Sequence, residues 1–160
     1  MVLSVRAAAE MVKLTNVHLC CPSCVKGVAK AIGTVPGVAA NSDQEEGTVT
    51  LTGPDNATVQ KAADALVAAG YFGKSATPGI KLVSDTGAQD KKVQSLKVEG
   101  VHLCCGKCVK AVNHALESVE GVKANTATKG ATSFEVTGDF NDKDVFAALQ
   151  KAGLTGKVGK

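Results

Sequence analysis

The amino-acid sequence predicts an α+β protein made of two tandem copies of one strand-helix-strand-strand-helix-strand unit. Three observations carry that expectation. A repeat runs through almost the whole chain; apolar and polar residues alternate at period two where strands are expected; and the apolar spacing becomes helical between them.

The repeat is anchored on His18-Leu19-Cys20-Cys21-Pro22-Ser23-Cys24 and His102-Leu103-Cys104-Cys105-Gly106-Lys107-Cys108. With His18 laid on His102, Val28 falls on Val112, Ile32 on Leu116, Val35 on Val119 and Gly37-Val38 on Gly121-Val122. A one-residue insertion then brings Thr52-Gly53 onto Thr137-Gly138. A two-residue deletion brings Leu66 and Ala69-Gly70 onto Leu149 and Ala152-Gly153. The 160 residues therefore divide into units at 11–76 and 93–160, with a linker at 77–92. Each unit, roughly 70 residues long, is large enough for a modest core.

Residues 11–17 alternate as Val12, Lys13, Leu14, Thr15, the mark of a half-buried strand. Pro22 suits the first position of a helix, where no amide hydrogen is needed. Val25, Val28, Ala29 and Ile32 follow at helical spacing, and Gly33 ends the helix. Strands are expected at 38–43 and 48–52, joined by a reversal at Glu45-Glu46-Gly47. Asp55 and Asn56 can cap a second helix at 58–69, whose apolar face is Val59, Ala62, Ala63, Leu66 and Val67. A last strand is expected at 71–76.

The linker holds a Pro-Gly pair and several charges, and its Ile80, Leu82 and Val83 can extend the last strand or pack on it. The second unit repeats the order, with strands at 96–101, 122–126, 132–137 and 154–158 and helices at 106–118 and 142–152. Right-handed crossovers place both helices of a unit on one face of a four-stranded antiparallel sheet, the ferredoxin-like βαββαβ arrangement.

Composition excludes several functions. There is no Trp, one Tyr and four Phe, too few rings for the base stacking that single-stranded nucleic acid requires. The net charge of +3 comes from scattered lysines. No stretch approaches the roughly 18 apolar residues of a membrane span. Residues 1–9 end in an Ala-x-Ala pattern, so the expected compartment is cytoplasmic as the chain stands, or periplasmic or exported if they are the remnant of a signal peptide. A monomer is expected.

All six cysteines lie in the two repeated stretches, each with a histidine two residues before the first of them. Structural cysteines occur singly as small buried hydrophobes, whereas clustered thiols beside an imidazole offer soft ligands at metal-binding spacing. The candidate ligands are His18, Cys20, Cys21 and Cys24 in one unit and His102, Cys104, Cys105 and Cys108 in the other. Each set lies where a loop opens a helix, and free amides and the helix dipole there favour the thiolate form that binds metal. Lys26, Lys107 and Lys110 are close enough in sequence to assist, or are simply solvated. The histidines are either ligands or ordinary strand-end residues, and His114 reads as a surface residue.

This arrangement resembles the heavy-metal-associated domain of copper chaperones, of the N-terminal modules of metal-transporting P-type ATPases and of the periplasmic mercury-binding protein. The family's Gly-Met-x-Cys-x-x-Cys motif places its cysteines on Cys21 and Cys24, and on Cys105 and Cys108. Its methionine, an apolar tether beneath the loop, falls on Leu19 and Leu103. Ala69-Gly70-Tyr71 looks like the family segment that brings a tyrosine near the loop, with Leu154 in its place in the second unit. The sequence departs from the motif at His18 and His102, where the family has glycine, and at Cys20 and Cys104, where it has a small polar residue.

The resemblance implies a heavy-metal-ion binding protein that is not an enzyme, with one ion in each unit's exposed loop. It would act as carrier, chaperone or scavenger by thiolate exchange with a metal-transporting ATPase or another thiolate-bearing acceptor. Two thiolates suit copper(I), and three with an imidazole suit a zinc- or cadmium-type ion. Thiol-disulfide exchange at the Cys-x-x-Cys pairs, or an interaction module stapled by metal, are the alternatives.

Overall fold

The computed structural model describes residues 9–160; of the residues 1–9 considered for export, 1–8 lie outside the described residues. The first unit runs β1 (Glu10–Thr15), α1 (Pro22–Ile32), β2 (Ala39–Asp43), β3 (Thr48–Gly53), α2 (Asn56–Ala68) and β4 (Lys74–Ser75). The second runs β5 (Lys92–Glu99), α3 (Gly106–Glu117), β6 (Val122–Asn125), β7 (Ser133–Asn141), α4 (Asp142–Lys151) and β8 (Lys157–Val158). Each unit is a four-stranded antiparallel sheet, in the orders β2-β3-β1-β4 and β6-β7-β5-β8, carrying two helices.

The alternation in β1 works as expected. Val12 and Leu14 are buried while Met11, Lys13 and Thr15 are exposed, so the helices cover one face and solvent wets the other. Helix α1 buries Cys24, Val28 and Ile32, and α3 buries Cys108, Val112, Ala115 and Leu116. In both helices the first member of the i, i+4, i+8 stripe is a cysteine, so the packing that seats the helix also seats a sulfur. Asp55 accepts from the Thr58 amide at 2.7 Å and Asn141 from the Lys143 amide at 2.9 Å, capping α2 and α4.

Several boundaries differ from expectation. Strand β5 begins at Lys92, inside the stretch read as linker, because β7 runs on to Asn141 past a register shift and pairs with it. The linker is tied down. Ile80 is buried, Gln60 exchanges two hydrogen bonds with the Lys81 backbone, and Asp142 accepts from the amides of Gln89 at 2.9 Å and Lys91 at 3.0 Å. The fourth strands are the largest difference, shrinking to two residues each.

The first halves of those expected strands are used elsewhere. Tyr71 and Leu154 form an isolated antiparallel bridge to each other, joining the two units. The Phe72 and His18 amides both donate to the Gly153 carbonyl, at 3.1 and 3.3 Å, and the Thr155 amide donates to the Gly70 carbonyl at 2.9 Å. Asn16 Nδ2 adds a bond to the Lys151 carbonyl at 2.9 Å. Among the described residues no named helix or strand of one unit packs on one of the other, so loops make the junction.

Glycine is required at its centre. Gly70 and Gly153 have φ of +92° and +81°, and a Cβ on Gly70 would lie 2.5 Å from the Gly100 carbonyl oxygen. On Gly153 it would lie 2.5 Å from both the Asn16 carbonyl oxygen and the His18 amide. Gly153→Ala is expected to add about 1–2 kcal/mol of left-handed strain and to part the units. Hydrogen exchange checks this: protection at the Phe72 and Thr155 amides should fall while the β1 and β3 amides keep theirs.

Burial alone would raise the Asp142 carboxyl, but the amides of Gln89, Lys91, Lys143 and Asp90 hold it below the usual carboxylate range. A carboxylate lowered only in the fold stabilises it above the unfolded pKa, and that contribution disappears as pH falls through the folded value. Asp142→Asn should therefore cost about 1–3 kcal/mol at neutral pH, with the gap to wild type closing in acid. Urea unfolding across that range measures both.

Candidate metal centre

Each ligand loop follows a strand that stops abruptly. Asn16 adopts φ of 57° and Gly100, its counterpart, φ of 76°, turning the chain out of β1 and β5. Beyond the turn, Val17 and Leu19 are buried while His18 and Cys20 between them are half-buried; Val101, Leu103, His102 and Cys104 repeat the pattern. Leu19 and Leu103 thus pack beneath the loops. Cys21 and Cys105 are the extended N-cap residues of α1 and α3, and their carbonyls accept from the Cys24 and Cys108 amides at 3.0 and 3.1 Å.

The junction brings the two loops face to face. Cys20 Sγ lies 3.2 Å from Cys105 Sγ and 3.3 Å from Cys108 Sγ, and Cys104 Sγ lies 3.4 Å from both Cys21 and Cys24. Cys24 and Cys108, both fully buried, are 3.9 Å apart. Within a unit the spacings are similar, from 3.5 Å for Cys20–Cys24 to 3.9 Å for Cys105–Cys108. All six are free thiols.

The donors expected to serve one exposed site in each unit are pooled. Four groups of four donors lie within 4.8 Å of one another, and every group takes residues from both units. They are His18-Cys20-Cys24-Cys108, its repeat-related partner Cys24-His102-Cys104-Cys108, and the all-sulfur groups Cys20-Cys21-Cys24-Cys104 and Cys20-Cys104-Cys105-Cys108. The groups hold only thiols and imidazoles, a donor set that suits soft or borderline ions and disfavours magnesium or calcium. Among the donors Cys24 and Cys108 are buried, and Cys20, Cys21, Cys104, Cys105 and the two histidines are partly exposed.

The histidines differ. Tyr71 is buried with its ring 4.7 Å from that of His102, and its hydroxyl donates to the Cys24 carbonyl at 2.9 Å and lies 3.1 Å from His102 Nε2. A hydroxyl has one proton, so having donated it to Cys24 it accepts from Nε2–H, which leaves His102 Nδ1 with a free lone pair. Leu154 offers no such bond in the other unit, and His18 Nε2 is buried without a hydrogen-bond partner. His114 is exposed, 3.6 Å from Glu117, and Lys26, Lys107 and Lys110 are exposed on the helices.

Crowding the thiols spreads their acidities. Contact with Cys108, then burial, pushes Cys24 far up, while the same contact lowers Cys108 against its burial, with His18 and Cys20 assisting. Burial raises Cys20, and it pushes Cys104 up to about 12. Burial would raise Cys21 too, but the Cys24 amide and neighbouring thiols bring it down to about 6. Close thiols thus oppose one another's ionisation, and a cation bound among them would displace their protons. Burial, then the neighbouring thiolates, push the Tyr71 phenol far up, keeping it a donor.

The resemblance placed Tyr71 near the loop, where its hydroxyl meets the Cys24 carbonyl, but sequence reasoning missed the role of Gly70 and Gly153 in joining the units. The repeated Ala-Gly pair was visible, but its role in joining units depends on tertiary contacts. Gly27 belongs with them, since a Cβ there would meet the Tyr71 hydroxyl.

The fold and donor set define a tandem pair of ferredoxin-like units presenting soft metal ligands from their first loops. Comparison with known proteins agrees. The chain is 35% identical over 140 residues, 83% of its length, to copper-transporting ATPase 2 of Rhizobium meliloti. It is 34% identical over 145 residues, 88% of its length, to copper-transporting ATPase 1 of the same organism. It spans only 14% and 15% of those two relatives. The crystal structure of oxidized MerP from Ralstonia metallidurans is 32% identical, covering 44% of this chain and all of that one, with a TM-score of 0.38. No family model matches the chain. The chain is a tandem heavy-metal-associated domain protein.

Tyr71→Phe should leave the fold intact at a cost of about 0.5–1.5 kcal/mol and release the His102 tautomer. Long-range nitrogen–proton correlation checks this: wild type should show His102 as Nε2–H, and the variant a mixture.

Proposed function

We propose that this chain binds thiophilic heavy-metal ions in the pooled cluster and passes them on by ligand exchange. The observation that carries the reading is the meeting of six sulfurs from two units at 3.2–3.9 Å, a concentration of soft donors that core packing does not require. The relatives' copper transport supports copper(I) as cargo. The number of thiols supports a zinc- or cadmium-type ion equally well.

Transfer would begin at the half-buried rim. A thiolate of the acceptor attacks the ion, a resident sulfur leaves, and the vacated thiolate takes up a proton. The acceptor is a protein with an accessible cysteine pair, a metal-transporting ATPase being the kind that the sequence relatives suggest. Cys21 and Cys105 are the natural exit ligands because they cap their helices at the partly exposed edge.

A second reading, thiol-disulfide exchange, is favoured by the 3.2 Å approach of Cys20 to Cys105. The two separate cleanly. Anaerobic titration of the reduced chain with copper(I) and with zinc should show saturable uptake and protection of the thiols from alkylation, with X-ray absorption reporting the ligands. Metal-free reduction of a test disulfide, abolished in Cys24→Ser, would instead establish the redox reading, and failure to retain either ion would sink the metal reading. The chelated chain should stay folded by circular dichroism, because its buried Val and Leu residues contribute roughly 1.5–3 kcal/mol each without metal.

A further inference from the structure

We infer that the two units together hold a dinuclear cluster in which Cys20 and Cys104 bridge two divalent d10 ions of the zinc or cadmium class. The inference rests on the metal-binding reading above and concerns how the ions are shared.

It follows from the composition of the two all-sulfur groups. One is Cys20-Cys21-Cys24-Cys104 and the other Cys20-Cys104-Cys105-Cys108. Their union is all six cysteines, and their overlap is Cys20 and Cys104. Each ion then keeps one unit's Cys-x-x-Cys pair as terminal ligands, Cys21 and Cys24 or Cys105 and Cys108. Both extra cysteines serve both ions.

Neither unit can complete four sulfurs alone, having three, so the bridge needs both. Cys20 touches sulfurs of both groups, Cys24 at 3.5 Å and Cys105 and Cys108 at 3.2 and 3.3 Å. Cys104 does likewise, with Cys21 and Cys24 at 3.4 Å and Cys108 at 3.6 Å.

Chemistry selects the ion. Four sulfurs around each metal suit tetrahedral zinc or cadmium, whereas copper(I) prefers fewer. Two divalent ions on six thiolates leave a double negative charge, and the N-termini of α1 and α3, opening at Cys21 and Cys105, face it with their positive ends. The competing pair of groups, with one histidine each, would bridge through Cys24 and Cys108. It would leave Cys21 and Cys105 unused.

The test uses the full reduced chain loaded anaerobically with cadmium-113. Native mass spectrometry should show two cadmium ions per monomer. The metal NMR spectrum should show two resonances, with the β-protons of Cys20 and Cys104 coupled to both and those of the other four cysteines coupled to one. Cys20→Ser should disturb both resonances, and Cys21→Ser chiefly one. Two ions with no shared cysteine, shared coupling at Cys24 and Cys108, or one ion per chain would overturn the bridge while leaving metal binding standing. A chain that retains no cadmium, copper(I) or zinc would remove the parent reading as well.

Discussion

The site depends on a close approach of backbone to backbone. Gly70 and Gly153 end the second helix of each unit, and their bare Cα atoms let those turns lie against the chain entering the opposite ligand loop. Only that approach permits the Gly153 carbonyl to accept from His18, and it sets the Tyr71–Leu154 bridge between the units. The loops that carry the sulfurs are the same loops that carry the junction. Separating the units would therefore dismantle the cluster and expose Cys24 and Cys108, which the facing loops now seal.

Symmetry in the repeat is broken at one ring. Tyr71 and Leu154 occupy equivalent positions across the bridge, yet only Tyr71 can hydrogen-bond, and it holds His102 in one tautomer while anchoring the Cys24 carbonyl. His18 lacks that restraint, and its buried Nε2 has no partner. Burial lowers the His102 pKa first, with His18 adding to that and Cys108 opposing it. Two loops with the same sequence pattern thus present inequivalent imidazoles to one group of thiols.

Much of this was legible in the chain. The alternation around Val12 and Leu14 and the helical spacing of Val28 and Ile32 specify elements that any ferredoxin-like unit needs, because burial on one face enforces period two in strands and about 3.6 in helices. The cysteines identified the loops by chemistry. What sequence could not express was the relation between units, since a repeat aligns each residue with its copy and says nothing about what the copies touch. Tyr71 to Ala76 has strand-like composition, but hydrogen bonding to the other unit competes with the local sheet and wins for Tyr71, leaving β4 only Lys74 and Ser75. Lys92 was assigned to the linker because pairing with Asn141 depends on how far β7 extends.

Crowded thiols are a poor way to hold a junction together. Their mutual hydrogen bonds are weak, and ionising one raises the cost of ionising its buried neighbours, as the opposite shifts of Cys24 and Cys108 display. Leucine or valine at the same six positions would fill the space without that electrostatic penalty. The arrangement becomes favourable once cations replace the protons, because each thiolate repelling its neighbours is then attracted to a charge between them. Sulfurs that repel when ionised make sense as a feature tuned to the occupied state.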